Sequence, residues 1–250
     1  MRYLETQRAH AMTKLTQSIY ALSLAGVMIL ANNSAVAEER KAPVNAVTGS
    51  AWNTEVNAAK GGITVSEAQL STLKRVNTYL NSFKSLEGRF RQTNPNKDIQ
   101  KGKFFVQRPG KMRFDYASPS LLMIISDGEY LSIEDHDLKT VDRYPLESTP
   151  FRMLLADNVD ILRDAVVLGM KNADGKISVA LSDKSGNAAG QISLVFADAG
   201  GKLDLLEWVI KDAQGLDTRI EVGNMVMNKT VEDKMFKPSN IGLANVFDKG

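Results

Sequence analysis

The chain has 250 residues, 24% of them charged, with no cysteine and two histidines. Without cysteine there can be no disulfide framework and no cysteine-linked lipid anchor, so stability must come from an apolar core. The formal net charge of +2 is unevenly placed: residues 1–37 hold three basic and one acidic side chain, which leaves 28 of each in the remainder. A neutral remainder argues against electrostatic capture of nucleic acid, which needs a basic patch or stripe.

Arg2, Arg8 and Lys14 make a basic start, Ile19 to Ala31 is an uncharged apolar run, and Ala35-Val36-Ala37 supplies small residues for cleavage. The run is shorter than the roughly 20 apolar residues of a membrane span. Together these features predict a secretory signal peptide over 1–37, cut near Ala37-Glu38, and hence export. Residues 38–63 are rich in Ala, Asn, Gly and charge and read as a flexible linker. One globular domain is expected over 64–250.

The domain opens with an amphipathic helix over Ser66 to Phe83. Leu70, Leu73, Val76, Leu80 and Phe83 fall on one face, and Ser66 with Gln69 forms a capping-box pair. From Leu86 onward the period changes to about eleven short strands, broken by separators such as Pro109-Gly110, Asp127-Gly128 and Gly200-Gly201. The expected class is mainly β, an antiparallel meander. The strand over 112–116 alternates, Met112, Phe114 and Tyr116 opposing Arg113 and Asp115. The run Leu121 to Ile125 does not alternate, which predicts cover on both faces. One interruption, Ser148 to Leu155, has the chemistry of a helix start, with Phe151, Leu154 and Leu155 sharing a face, and Val159 to Arg163 adds a further helical turn. Two short helical pieces cannot cover eleven strands tightly. Either the sheet closes on itself or it leaves an apolar cavity.

Motifs for chemistry are scarce. There is no G-x-S-x-G, Walker loop, H-E-x-x-H or C-x-x-C. His136 lies in Glu134-Asp135-His136-Asp137, which reads as a solvated hairpin tip; adjacent turn residues rarely converge on one metal ion. No catalytic residue, metal or cofactor is assigned. Methionines are many, and Met112, Met123, Met153, Met170, Met225, Met227 and Met235 lie in the domain. Each suits ordinary core filling; together they also suit a surface that accepts variable partners. Arg108, before Pro109-Gly110, is either a solvent-facing strand end or a latch whose guanidinium bonds backbone carbonyls of a covering helix.

Phe90 and Gln92, Gly102 to Val106, Arg108-Pro109, Phe114 and Tyr116, Pro119, Ser126-Asp127-Gly128, Thr149-Pro150-Phe151 with Leu154, and Phe236 with Pro238 form an ordered set. The set resembles the LolA family of periplasmic outer-membrane lipoprotein carriers, over roughly 66–238. The resemblance implies an incomplete antiparallel β-barrel with helices forming a lid over a hydrophobic cavity. It implies acylated lipoproteins as cargo, taken from an inner-membrane ABC transporter and passed to an outer-membrane receptor. A monomer without enzymatic activity is expected, and a LolA-like binding or sensor protein for another amphiphile is the alternative. The family's lid latch corresponds to Arg108. The acyl-chain cavity is expected to use Leu73, Val76, Leu80, Phe83, Phe114, Tyr116, Met123, Phe151, Leu154 and Leu155. Met112 stands where some members carry an aromatic that engages the transporter.

Overall fold

The structure, a computed structural model, describes residues 56–57, 61–212 and 214–239. The expected signal peptide, most of the linker and the tail after Ser239 lie outside them. A two-stranded ribbon, β1 (Val56–Asn57) with β2 (Gly62–Ile63), precedes the first helix. It comes close to the later strand at Val166: a Cβ on Gly62 would lie 2.6 Å from the Val166 Cγ1.

Helix α1 spans Glu67–Asn81. Its capping box is formed: Gln69 N–H donates to Ser66 Oγ at 3.3 Å, and Ser66 N–H donates to Gln69 Oε1 at 2.8 Å. Two of the orphan donors of the first turn are thereby satisfied. Leu73, Val76 and Leu80 form the buried face.

Eleven strands follow: β3 (Ser85–Thr93), β4 (Ile99–Gln107), β5 (Lys111–Tyr116), β6 (Leu122–Asp127), β7 (Tyr130–Asp135), β8 (Thr140–Pro145), β9 (Ala165–Ala173), β10 (Lys176–Asp183), β11 (Gln191–Ala199), β12 (Lys202–Lys211) and β13 (Asp217–Met227). They make one antiparallel sheet in the order β8-β7-β6-β5-β4-β3-β13-β12-β11-β10-β9. The two edges, β8 and β9, do not pair with each other, so the expected incomplete barrel is an open sheet rather than a closed one. A 3₁₀ turn (Leu146–Ser148), α2 (Phe151–Leu154) and α3 (Ile161–Asp164) connect those edges. Their buried residues Phe151, Met153 and Ile161 join the same core as α1 and the inner face of the sheet.

One seam is short. β12 pairs with β13 only from Glu207 to Lys211, against Glu221 to Asp217. Beyond it, Leu205 N–H donates not to a strand but to Tyr79 Oη of α1, at 3.2 Å.

The outer face of β5–β7 carries a second, smaller core. Cross-strand register places Arg113 beside Ile125 and Ile125 beside Ser132. The chain after β13 returns over this face. Phe236 is 1% exposed, Arg113 donates to Met235 O at 2.9 Å, and Lys111 and Gln107 both reach Asp233. Glu134 is fully buried here, accepting from Ser239 N–H at 2.6 Å and Ser239 Oγ at 2.7 Å, with His136 Nε2 at 3.1 Å. The expected cover on both faces of Leu121 to Ile125 holds only in its second half: Ile124 is buried inward and Ile125 outward, while Met123 is half-buried and Leu121 is exposed.

Where α2 meets the β10–β11 connection, Arg152 donates from Nε to Asp183 Oδ1 at 3.0 Å and also from its terminal nitrogen. Burial favours neutral Asp183, but hydrogen bonds from Ser185, Arg152 and the Ala188 N–H outweigh it and hold the carboxyl below its usual range. A carboxylate with a depressed folded pKa contributes stability that is present above its unfolded value, about 4, and lost as pH falls through the folded one.

Phe236→Ala should lower unfolding free energy by about 3–5 kcal/mol, a core-sized loss, in urea denaturation. Asp183→Asn should cost about 1–3 kcal/mol at pH 7, and the gap to the parent protein should narrow below about pH 4 in the same measurement made across pH.

Candidate functional site: an apolar cavity closed by an arginine

The inner face of the sheet is aromatic at its centre. Phe90 sits edge-on to Phe114 and Tyr116, each with ring centroids 5.0 Å apart, and Phe104 stacks on Phe114 at 5.7 Å. Trp208 stands perpendicular to both Phe104 and Phe114. Between this wall, the end of α1 and α2 lies a cavity of about 60 Å³. Its roof is Leu80 and Phe83 from the α1 end, with Phe151, Leu154 and Leu155 from α2. Its floor includes Leu86, Phe104, Val106, Met112, Phe114, Leu194, Leu205 and Trp208.

Arg108 closes one side. The residue is 7% exposed. Its Nε donates to Leu154 O at 2.9 Å, and Nη1 donates to Leu80 O and to Phe83 O. These carbonyls belong to the C-terminal ends of α2 and α1, where helices leave acceptors unsatisfied and carry partial negative charge. The guanidinium carbon also lies 4.5 Å from the centre of the Phe83 ring, a cation–π contact. Burial lowers the pKa of Arg108 to about 10, partly opposed by the field of Asp157, so the group stays protonated at neutral pH. The turn itself is pinned: Gly110 N–H donates to Leu155 O at 2.8 Å, and Ser126 Oγ donates to Gly110 O at 2.7 Å. Gly110 has φ +74°, and a Cβ there would lie 2.7 Å from Gly128 Cα, so the close approach of the two turns requires glycine.

The sequence-expected residues divide. Leu80, Phe83, Phe114, Phe151, Leu154 and Leu155 line the cavity. Leu73 and Val76 are fully buried in the adjoining core but do not reach it. Tyr116 is buried further along β5, donating to Gln92 Oε1 at 2.7 Å. Met123 is a correction: it pairs with Asp115, so it faces the outer side of the sheet and is only half-buried. Met112 is a second correction: at 1% exposure it is part of the cavity floor and presents no surface to a docking partner.

Sequence reasoning passed over Trp208, Phe104 and the Arg152–Asp183 pair, which ties α2 to the end of β10. Phe104 was readable from its run, Lys103-Phe104-Phe105-Val106. The ion pair joins residues 31 apart and has no local signature. His136 is neither a free hairpin tip nor a ligand cluster. It faces buried Glu134, and no group of three or more His, Cys, Asp or Glu side chains able to hold a metal occurs among the described residues. No described helix is long and apolar enough to cross a membrane.

Comparison with known proteins agrees with this geometry. The family model for the outer membrane lipoprotein carrier protein LolA matches residues 81–239. A Chromobacterium violaceum outer-membrane lipoprotein carrier protein is 30% identical over 177 residues, covering 68% of this chain and 84% of the relative. A Methylococcus capsulatus protein of the same name is 28% identical over 192 residues, covering 73% and 90%. The match begins at the end of α1 and runs through the strap over the outer face, so it takes in the cavity, α2 and Arg108 together: the chain belongs to the LolA family of outer membrane lipoprotein carrier proteins.

Proposed function

We propose that this protein is a periplasmic carrier that shields the acyl chains of lipoproteins released from the inner membrane by an ABC transporter and delivers them to an outer-membrane receptor. The observation that carries this reading is the apolar cavity roofed by two helix ends that one arginine holds together. Each methylene moved from water into such a cavity is worth about 0.8 kcal/mol, so two or three long chains need a shield to cross an aqueous compartment. Export through a signal peptide over 1–37 would place the protein there, with 38–63 as a tether before the domain.

The cavity is narrow. Its 60 Å³ is smaller than the roughly 150 Å³ void that takes a single benzene, so no acyl chain enters until the roof moves. Opening must break the Arg108 bonds to Leu154 O and to the α1 end; release lets them form again. Hydrogen bonds of a charged donor are worth about 1.5–3 kcal/mol each, a re-closing contribution that offsets acyl burial and makes unloading downhill without a nucleotide. Leu73, Val76 and Tyr116 support this wall from behind rather than contacting cargo.

Mature protein added to spheroplasts that hold a working transporter should release lipoproteins into the soluble fraction. If none appears, the carrier reading fails; if another amphiphile is bound instead, the protein is a sensor or carrier of that molecule. Arg108→Leu should still load, but with re-closing weakened its transfer to the receptor should fall about ten- to a hundredfold in a two-step release and transfer assay. Unchanged transfer would remove Arg108 from the mechanism.

A further inference from the structure

The cavity wall contains two hydrogen-bond donors among otherwise apolar side chains. Arg108 spends its guanidinium on Leu80 O, Phe83 O and Leu154 O. Trp208 does not spend its own. The indole is 7% exposed, lines the cavity, and its Nε1 is buried with no hydrogen-bond partner. An indole N–H donates only and cannot be satisfied by an aromatic edge, and a buried donor left unpaired is a standing cost to the fold. Phenylalanine could meet Phe104 and Phe114 edge-on in the same slot without that cost.

Trp208 also differs from Arg108 in where it is anchored. It lies within β12, paired with Leu194 on one side and Ile220 on the other, while Arg108 bonds the roof. When the roof lifts, the Arg108 bonds change and the Trp208 N–H stays in place. What then enters decides its partner. Alkyl chains bring no acceptor. The acceptors attached directly to acyl chains are ester and amide carbonyl oxygens at the point where each chain joins its glyceryl or amine group.

We propose that the Trp208 Nε1–H donates a hydrogen bond to an acyl carbonyl of the bound ligand, making Trp208 the residue that distinguishes acyl-linked chains from plain alkyl ones. This rests on the carrier reading above. In that reading cargo is held by area, which any long chain satisfies, and by one polar contact, which only an acyl linkage satisfies. The contact is single and neutral, so it adds selectivity without making release prohibitive.

The test compares two synthetic lipopeptides, one with two ester-linked palmitoyl chains on an S-glyceryl cysteine and one with the same chains joined by ethers. Binding to the purified mature protein is measured by displacement of a fluorescent fatty-chain probe. The parent protein should prefer the diester about five- to tenfold, the worth of one buried hydrogen bond. Trp208→Phe should bind the two alike. Benzothienylalanine at the same position, which replaces the N–H with sulfur and keeps the shape, should do the same and controls for altered packing. Equal binding of both lipopeptides by the parent protein, or a preference that survives in both variants, overturns the proposal and leaves the carrier reading standing. If the parent protein binds neither, the carrier reading itself fails.

Discussion

A guanidinium without a carboxylate beside it is an uncommon thing to bury. Arg108 is held by backbone carbonyls and the face of one aromatic ring. An ion pair would bind more tightly; carbonyls at two helix ends bind only while those ends stay where they are. The cation thus converts the position of α1 and α2 into hydrogen bonds. The rest of the site follows from it. The β4–β5 turn must bring Arg108 under both helices, which is why Gly110 packs against Gly128 and why Ser126 ties the turn down. The sheet must remain open at β8 and β9, because the segment between those edges is the roof.

Support for this arrangement comes from outside the cavity. The chain beyond β13 crosses the outer face of β5–β7 and buries Phe236 and Glu134 there. A sheet with an apolar face of this size cannot rely on a filled interior for stiffness if the interior is to be vacated and refilled. The second core gives those strands stabilising contacts that do not depend on what occupies the first. Arg152 and Asp183 bind α2 to the start of the β10–β11 connection. The roof is therefore held at two places by two arginines of opposite design, one bonding carbonyls and the other a carboxylate.

Much of this was legible in the residues. Hairpin separators and alternation called for about eleven strands and the sheet has eleven, because each strand is bounded by residues that tolerate turn geometry. Two of the misses, Met123 and Trp208, have a common cause, which is parity. Leu121 to Ile125 is apolar throughout, so no pattern says which side Met123 takes; the pairing with Asp115 decides it. In β12 a bulge at Leu206 shifts the register between Val195 and Phe196. Strict alternation from Leu203 and Leu205 would put Glu207 inside and Trp208 outside, and the extra residue reverses that. Arg108 was a different case. Its position was plain, but its two readings differ only in whether a helix end lies within reach, which is a fact of tertiary structure.

The partial seam between β12 and β13 has a mechanical meaning. Five rungs join a seven-stranded half, β8 through β13 in sheet order, to a four-stranded half, β12 through β9. Above those rungs the strands part, and Tyr79 of α1 takes the Leu205 N–H that a neighbouring strand would otherwise hold. A sheet that is riveted along only part of one joint bends there first. Leu205 and Trp208 flank that joint and face the cavity, so any change in the angle between the halves alters the width of the chamber directly.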